Sequence, residues 1–172
     1  MMAETVTALS GAAPAWTLRP ITDADLPLLL RIFSTTREQE MAMVPWTEEQ
    51  KQAFMRMQFE AQHRHYQTYY AGDSFDLILL NGEPIGRLYV GRWPSQICVI
   101  DISLLPPWRG RGIGGRLMGE LIAEADAQGK STMVYVEKFN PARHLYERLG
   151  FVKVEDLDVY DKMVRELGVG SH

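Results

Sequence analysis

The sequence predicts a mixed α+β domain with a mostly antiparallel central sheet of six to seven strands, flanked by about four helices. Three observations predict it. Short apolar runs that alternate with period two share the chain with longer runs of helical period. The two kinds follow one another as β-α-α-β-β-β-α-β-α-β-β, with three consecutive strands in the middle. Two of those strands are joined by Asn81-Gly82, a dipeptide suited to the type I′ turn of an antiparallel hairpin.

Each element has its own local reason. WTLRPI (Trp16 to Ile21) reads as the first strand. Thr22 opens a helix, supported by Asp25 three residues on, and LPLLLRIF follows. Thr47 and Gln50 have the capping-box spacing for a second helix, expected to reach about Tyr66 with Phe54, Met57 and Ala61 on one face. TREQEMAMVPW connects the two. SFDLILL and PIGRLYVGRW flank Asn81-Gly82, and QICVIDISLL is the third strand of this group, after a break at Pro94-Ser95. The next helix carries Ile113, Leu117, Leu121 and Ala125 on one stripe, and Gly129 suits its C-cap. STMVYVE is a strand by its β-branched content. Asn140-Pro141 fits the N-cap and first position of a short helix ending at Gly150. FVKVEDLDVY and KMVREL finish as β structure.

Composition narrows the function classes. The chain has 172 residues, 46% apolar and 23% charged, with no apolar run long enough for a membrane span. Residues 1–14 are small and polar and lack the features of a signal peptide, so they are expected to form a flexible tail before a single domain over 15–168. Cys98 is the lone cysteine, which excludes an intramolecular disulfide and, without an export signal, makes the cytoplasm the expected location. Lying in an apolar alternating run, it reads as a packing residue. A net charge of −4 argues against a generic nucleic-acid binder.

Against that acidic background one segment stands out. Between Arg109 and Arg116 lie three arginines and four glycines with no acidic residue, placed between a strand and a helix. Backbone N–H groups at a helix start, with cationic side chains beside them, suit a phosphate-bearing ligand. A Walker A loop is excluded because no Lys-Ser or Lys-Thr follows these glycines at the required spacing. Gly110, Gly112 and Gly115 do satisfy GxGxxG, with Glu137 about 20 residues on, as in a dinucleotide fold. However, Pro106, Pro107 and Trp108 intervene between strand and glycine, and the chain after Gly115 is short for two mononucleotide halves. A plain glycine-rich turn with solvated arginines is the remaining alternative.

Arg109-Gly110-Arg111-Gly112-Ile113-Gly114 fits R/Q-x-x-G-x-G/A, the acyl-CoA signature of the GNAT superfamily of N-acetyltransferases. DISLLPPW before it and NPARHLYERLGF after it resemble neighbouring segments of that family. The likeness extends over about 16–164 and is strongest over 97–151. It implies acetyl-CoA as co-substrate and transfer of an acetyl group to a primary amine, of a small molecule or a peptide, by direct attack in a ternary complex. A non-catalytic acyl-CoA-binding sensor or structural module of the same fold is the alternative.

In this frame the N–H groups of Arg111, Gly112, Gly114 and Gly115 hold a pyrophosphate, with the glycines allowing close approach. Arg109, Arg111 and Arg116 add charge for the pyrophosphate or the ribose 3′-phosphate, although Arg109 could instead brace the loop. By resemblance, Ile102, Ser103 and Leu104 pair their backbone with the pantetheine arm, as an added strand would. Asn140 caps its helix and, by resemblance, contacts the pantetheine or its ordered water. Arg143 reaches the CoA phosphates or forms a surface salt bridge. By resemblance, Tyr146 protonates the departing thiolate; the alternative is that it packs its helix onto the sheet. The phenol and thiol pKa values suit such a transfer.

The general base is less defined. Some family members place a glutamate where Cys98 stands here, and Cys98 cannot replace it. Asp101 is the only carboxylate in that strand, but its odd offset from Cys98 turns it to the other face unless a bulge intervenes. Glu38 and Glu40, in the first interhelical connection, are alternatives as base or as attractors for an amine. His63 and His65 end the second helix on different faces, which disfavours a shared metal site, and no metal is expected. The expected partner is the amine acceptor, with neither nucleic acid nor membrane, and the size is compatible with a homodimer.

Overall fold

The computed structural model describes residues 16–168. The expected tail, 1–14, lies outside the described residues. The elements are β1 (Trp16–Pro20), α1 (Leu26–Thr35), α2 (Glu38–Ala42), α3 (Glu48–Tyr69), β2 (Ser74–Leu80), β3 (Glu83–Arg92), β4 (Gln96–Leu104), α4 (Ile113–Ala127), β5 (Ser131–Glu137), α5 (Ala142–Arg148), β6 (Val152–Leu157) and β7 (Tyr160–Arg165). The strands form one sheet in the order β1-β2-β3-β4-β5-β7-β6. β1–β2, β5–β7 and β6–β7 are antiparallel, whereas β4 and β5 are parallel. Among the described residues no helix is long and apolar enough to cross a membrane.

The expected α+β class and mostly antiparallel sheet are found, with three differences in detail. The connection TREQEMAMVPW contains a short helix, α2, absent from the expected order. The turn between the last two strands falls at Asp158, φ 68°, inside the run FVKVEDLDVY, expected to be one strand. The third difference is α3, which runs to Tyr69 and buries Met55 and Phe59 rather than Met57 and Ala61. Its apolar residues offer two candidate stripes, and packing decides between them. The Phe59 ring meets Phe33 of α1 at 5.9 Å between centroids.

The chain divides into two compact units, 16–88 with 103–108, and 89–102 with 109–168. The first has a core of Leu29, Ile32 and Phe33 from α1, Met55 and Phe59 from α3, Leu77 from β2, and Leu105. Its helix starts follow the sequence closely. Thr47 Oγ accepts the Gln50 N–H at 3.1 Å, and Gln50 Oε1 accepts the Thr47 N–H at 3.0 Å, completing the capping box. Asp25 Oδ2 accepts the Thr22 N–H at 2.7 Å, while Arg19 holds both carboxylate oxygens at 2.9 and 3.0 Å. Asn81 and Gly82 have φ of 50° and 85°, the signs a type I′ turn requires.

In the second unit α4 packs through Ile113, Leu117, Leu121 and Ala125, as the stripe predicts, and also through Met118 and Ile122. Gly129, at φ 70°, ends it, with the Lys130 N–H donating to the Ala125 carbonyl at 2.8 Å. Arg165 of β7, almost wholly buried, ties two helix ends together. Its Nη1 donates to Asp126 at 3.1 Å and its Nε to the Leu149 carbonyl at 3.0 Å.

The Arg19 guanidinium lowers the Asp25 pKa to about 2, assisted by the Thr22 hydrogen bonds. A carboxylate with a depressed folded-state pKa stabilises the fold above its unfolded value near 4, and that contribution fades as pH falls toward 2. Asp25→Asn is expected to cost about 1 kcal/mol at pH 7. Urea melts at pH 7 and pH 3 would show the gap between variant and parent shrinking at the lower pH.

Candidate active site

The second unit holds most of the residues singled out by sequence. β4 pairs with β5 from Gln96 opposite Ser131 to Val99 opposite Val134. β4 then continues to Leu104, while β5 stays paired with β7 as far as Glu137 opposite Tyr160. The two parallel strands therefore share four registered positions and then part company. Asp101 and Ile102, half-buried, lie on β4 beyond that point. Ser103 and Leu104 continue the strand in the first unit.

The glycine-arginine loop ends at the start of α4. Gly112 is the N-cap residue in the left-handed conformation, φ 81°, and Gly110 has φ 70°. A glycine cap has no side chain to bond the exposed N–H groups of the first turn. The first intrahelical bond is Arg116 N–H to the Gly112 carbonyl, at 3.1 Å. By helix geometry the N–H groups of Ile113, Gly114 and Gly115 precede any i−4 acceptor inside α4. A Cβ built on Gly110, Gly112 or Gly114 would meet nothing within 4 Å, so open space lies beside this turn. Gly115 is closer, with Leu145 Cδ1 at 3.5 Å from such a Cβ. Arg109, Arg111 and Arg116 are all exposed. Open space, helix-start N–H donors and positive charge together suit a phosphate-bearing ligand.

α5 supplies the other side chains. Asn140 Oδ1 accepts the Ala142 N–H at 2.9 Å, the capping role expected of it. Arg143 is engaged by protein carboxylates, with its Nη1 donating to Asp161 and its Nε to Glu147 at 3.4 Å. Arg143 forms an ion pair, as one of its two expectations had it, but with the buried Asp161 and not on the surface.

Tyr146 is 5% exposed and its ring packs on Phe151 at 5.8 Å between centroids. Burial, and secondarily the Asp101 carboxylate, push its phenol pKa from 10 up to about 12. Asp101 and Tyr146 are thus brought into electrostatic reach of each other. The phenol stays protonated at any physiological pH. It is also a weaker acid than the near match between phenol and thiol pKa values implied, so donation to a thiolate depends on that sulfur's own charge.

The remaining candidates lie in the first unit. Glu40 of α2 pairs with Arg37 at 3.4 Å. The His63 ring stacks on Phe59 at 5.6 Å, and burial, then Arg87, lower its pKa. His65 is exposed and meets Tyr69 at 4.5 Å. No group of three or more metal-ligating side chains occurs among the described residues.

Sequence reasoning missed Gly86. A Cβ there would stand 2.3 Å from the Ser103 carbonyl oxygen, because β3 runs hard against the end of β4. The Leu105 N–H donates to the Ile85 carbonyl at 2.8 Å beside it. A glycine inside a strand pattern is a signal of close backbone approach. Gly86→Ala is expected to destabilise by about 2 kcal/mol through that collision. Gly119→Ala, where a Cβ meets nothing within 4 Å in mid-helix, is expected to stabilise by about 0.5–1 kcal/mol. Thermal or urea unfolding of both variants reads the opposite signs.

A model of the acetyltransferase (GNAT) family matches residues 34–151. The alanine N-acetyltransferase of ribosomal protein bS18 from Haemophilus influenzae is 32% identical over 79 residues, covering 45% of this chain and 54% of that protein. The match thus spans about half of that relative's length. Among solved structures, PaiA N-acetyltransferase from Thermoplasma acidophilum, in complex with coenzyme A, superposes with a TM-score of 0.65 at 15% identity, over 88% of this chain and 99% of that one. An acetyltransferase from Thermus thermophilus gives a TM-score of 0.64 at 25% identity, over 88% and 97%. With the family model spanning well over half of its length, the chain belongs to the GNAT family of acetyltransferases.

Proposed function

We propose that this protein transfers an acetyl group from acetyl-CoA to a primary amine by direct attack within a ternary complex. The observation that carries the proposal is the start of α4, where donors, open space and arginines converge. There the N–H groups of Gly112, Ile113, Gly114 and Gly115 bind the pyrophosphate, Gly110 and Arg111 shape the approach, and Arg109, Arg111 and Arg116 neutralise it. The backbone of Ile102, Ser103 and Leu104 holds the pantetheine arm as a neighbouring strand would. Asn140, whose side chain caps α5, lends its remaining polar groups to the same arm.

The amine attacks the thioester carbonyl after losing one proton, and the C–S bond breaks with its electron pair on sulfur. Tyr146 hydrogen-bonds that thiolate and gives it a proton, while the nitrogen loses its second proton to a base. Asp101 is the carboxylate we assign to that proton. That proton then returns to the Tyr146 oxygen, where burial and the restored Asp101 charge hold it until the next turnover. Positioning supplies most of the rate. The acceptor is a small-molecule amine or a peptide, and the likeness to an alanine N-acetyltransferase supports including peptide α-amines.

One observation favours a binding-only module of the same fold: Tyr146 is so buried against Phe151 that packing alone would account for it. Tyr146→Phe separates the two. Acetyl-CoA binding by calorimetry is expected to persist while kcat falls about a hundredfold, measured with the best acceptor from an amine and peptide screen. Undiminished turnover would remove Tyr146 as the acid. A melting temperature raised by NAD but not by CoA would overturn the donor.

A further inference from the structure

Asp161 is the second residue of β7, opposite Val136 of β5, and only 2% exposed. A carboxylate buried to that degree needs a cationic hydrogen-bond donor. Arg143 is that donor, bonding Oδ2. The other oxygen, Oδ1, has no hydrogen-bond partner, and the nearest cation, Lys153 Nζ, stands 3.6 Å from it. Arg143 therefore provides the hydrogen bond on which this buried charge depends.

Arg143 sits on α5, a helix of seven residues. A helix that short does not hold itself together, so its attachments determine where it lies. Its ends are fixed by the Asn140 cap and by the Arg165 bond to the Leu149 carbonyl. Rotation about the helix axis depends on the side chains along it: Leu145, whose Cδ1 lies 3.5 Å from where a Cβ on Gly115 would stand, Tyr146 against Phe151, and Arg143. Arg143 and Tyr146 are three residues apart and so project from neighbouring positions one turn apart on the helix. Arg143 reaches β7, and Tyr146 packs on Phe151.

We propose that Arg143 and Asp161 are a positioning pair that fixes the rotation of α5, and through it the location of the Tyr146 hydroxyl. Neither residue touches the acetyl donor. This assignment rests on the proposed role of Tyr146, and of the two expectations for Arg143 it takes the ion pair over the phosphate contact.

The test compares Arg143→Met, Arg143→Lys and Asp161→Asn with the parent enzyme, using acetyl-CoA and the same acceptor. Arg143→Met is expected to lower kcat roughly ten- to a hundredfold, with the KM for acetyl-CoA changed by less than about twofold. Arg143→Lys, which keeps a charge and a donor, is expected to recover part of that loss. Hydrogen exchange should quicken at the amides of α5 in Arg143→Met and Asp161→Asn but not at those of α4. If Asp161→Asn does not fold, Arg143→Met, altering the more accessible partner, decides the matter. A raised KM with kcat intact would make Arg143 a phosphate ligand and overturn the proposal. Unchanged exchange in α5 of Arg143→Met would overturn it too. Absence of turnover in the parent would remove the acetyltransferase reading, and the exchange data would still decide whether the pair fixes α5.

Discussion

The parallel pairing of β4 with β5 is the constraint from which the site follows. Parallel neighbours cannot be joined by a tight turn, so the chain must leave the end of β4, cross the sheet and return. α4 is that crossover. The site is thereby provided with backbone N–H donors and the positive end of a helix dipole before any side chain is chosen. What the local sequence adds is a start to α4 that leaves those donors unsatisfied. Gly112 occupies the cap in a left-handed conformation and offers no side-chain oxygen. The early parting of β4 and β5, after Val99 and Val134, separates two strands whose backbones would otherwise satisfy each other.

Burial shapes the other half of the site. Tyr146 is removed from water on a sheet that also carries Asp101, and both effects act in one direction, keeping its proton in place. The Asp161 side chain, with little exposed surface, takes its hydrogen bond from Arg143 and has Lys153 Nζ 3.6 Å away. One short helix therefore carries a phenol that must stay neutral and a guanidinium that compensates a buried charge. The fold tolerates this combination because each group meets its partner across a different element. Tyr146 packs on Phe151 and Arg143 pairs with Asp161 of β7.

Local features were legible in the chain to the residue. The capping boxes at Thr22 and Thr47, the Asn81-Gly82 turn, the Gly129 C-cap and the Asn140 cap all depend on groups within a few residues of one another. The stripe of α4 was legible because one apolar face dominates that helix. α3 was not, because its sparse apolar residues make two stripes, and only Phe33 and Leu77, distant in sequence, choose Met55 and Phe59. α2 was hidden in a connection too short and mixed to show a period.

By itself, then, the sequence determined the fold class, the glycine turn that starts α4 and the family, since these are written in local spacing. Tertiary structure decided what each candidate side chain is bound to. It paired Arg143 with Asp161, eighteen positions away. It set the acidity of Tyr146 through burial and Asp101, and it required Gly86 because the Ser103 carbonyl lies where a Cβ would go. Charge pairing, desolvation and steric exclusion act between groups near in space and remote in sequence. No periodicity records such neighbours.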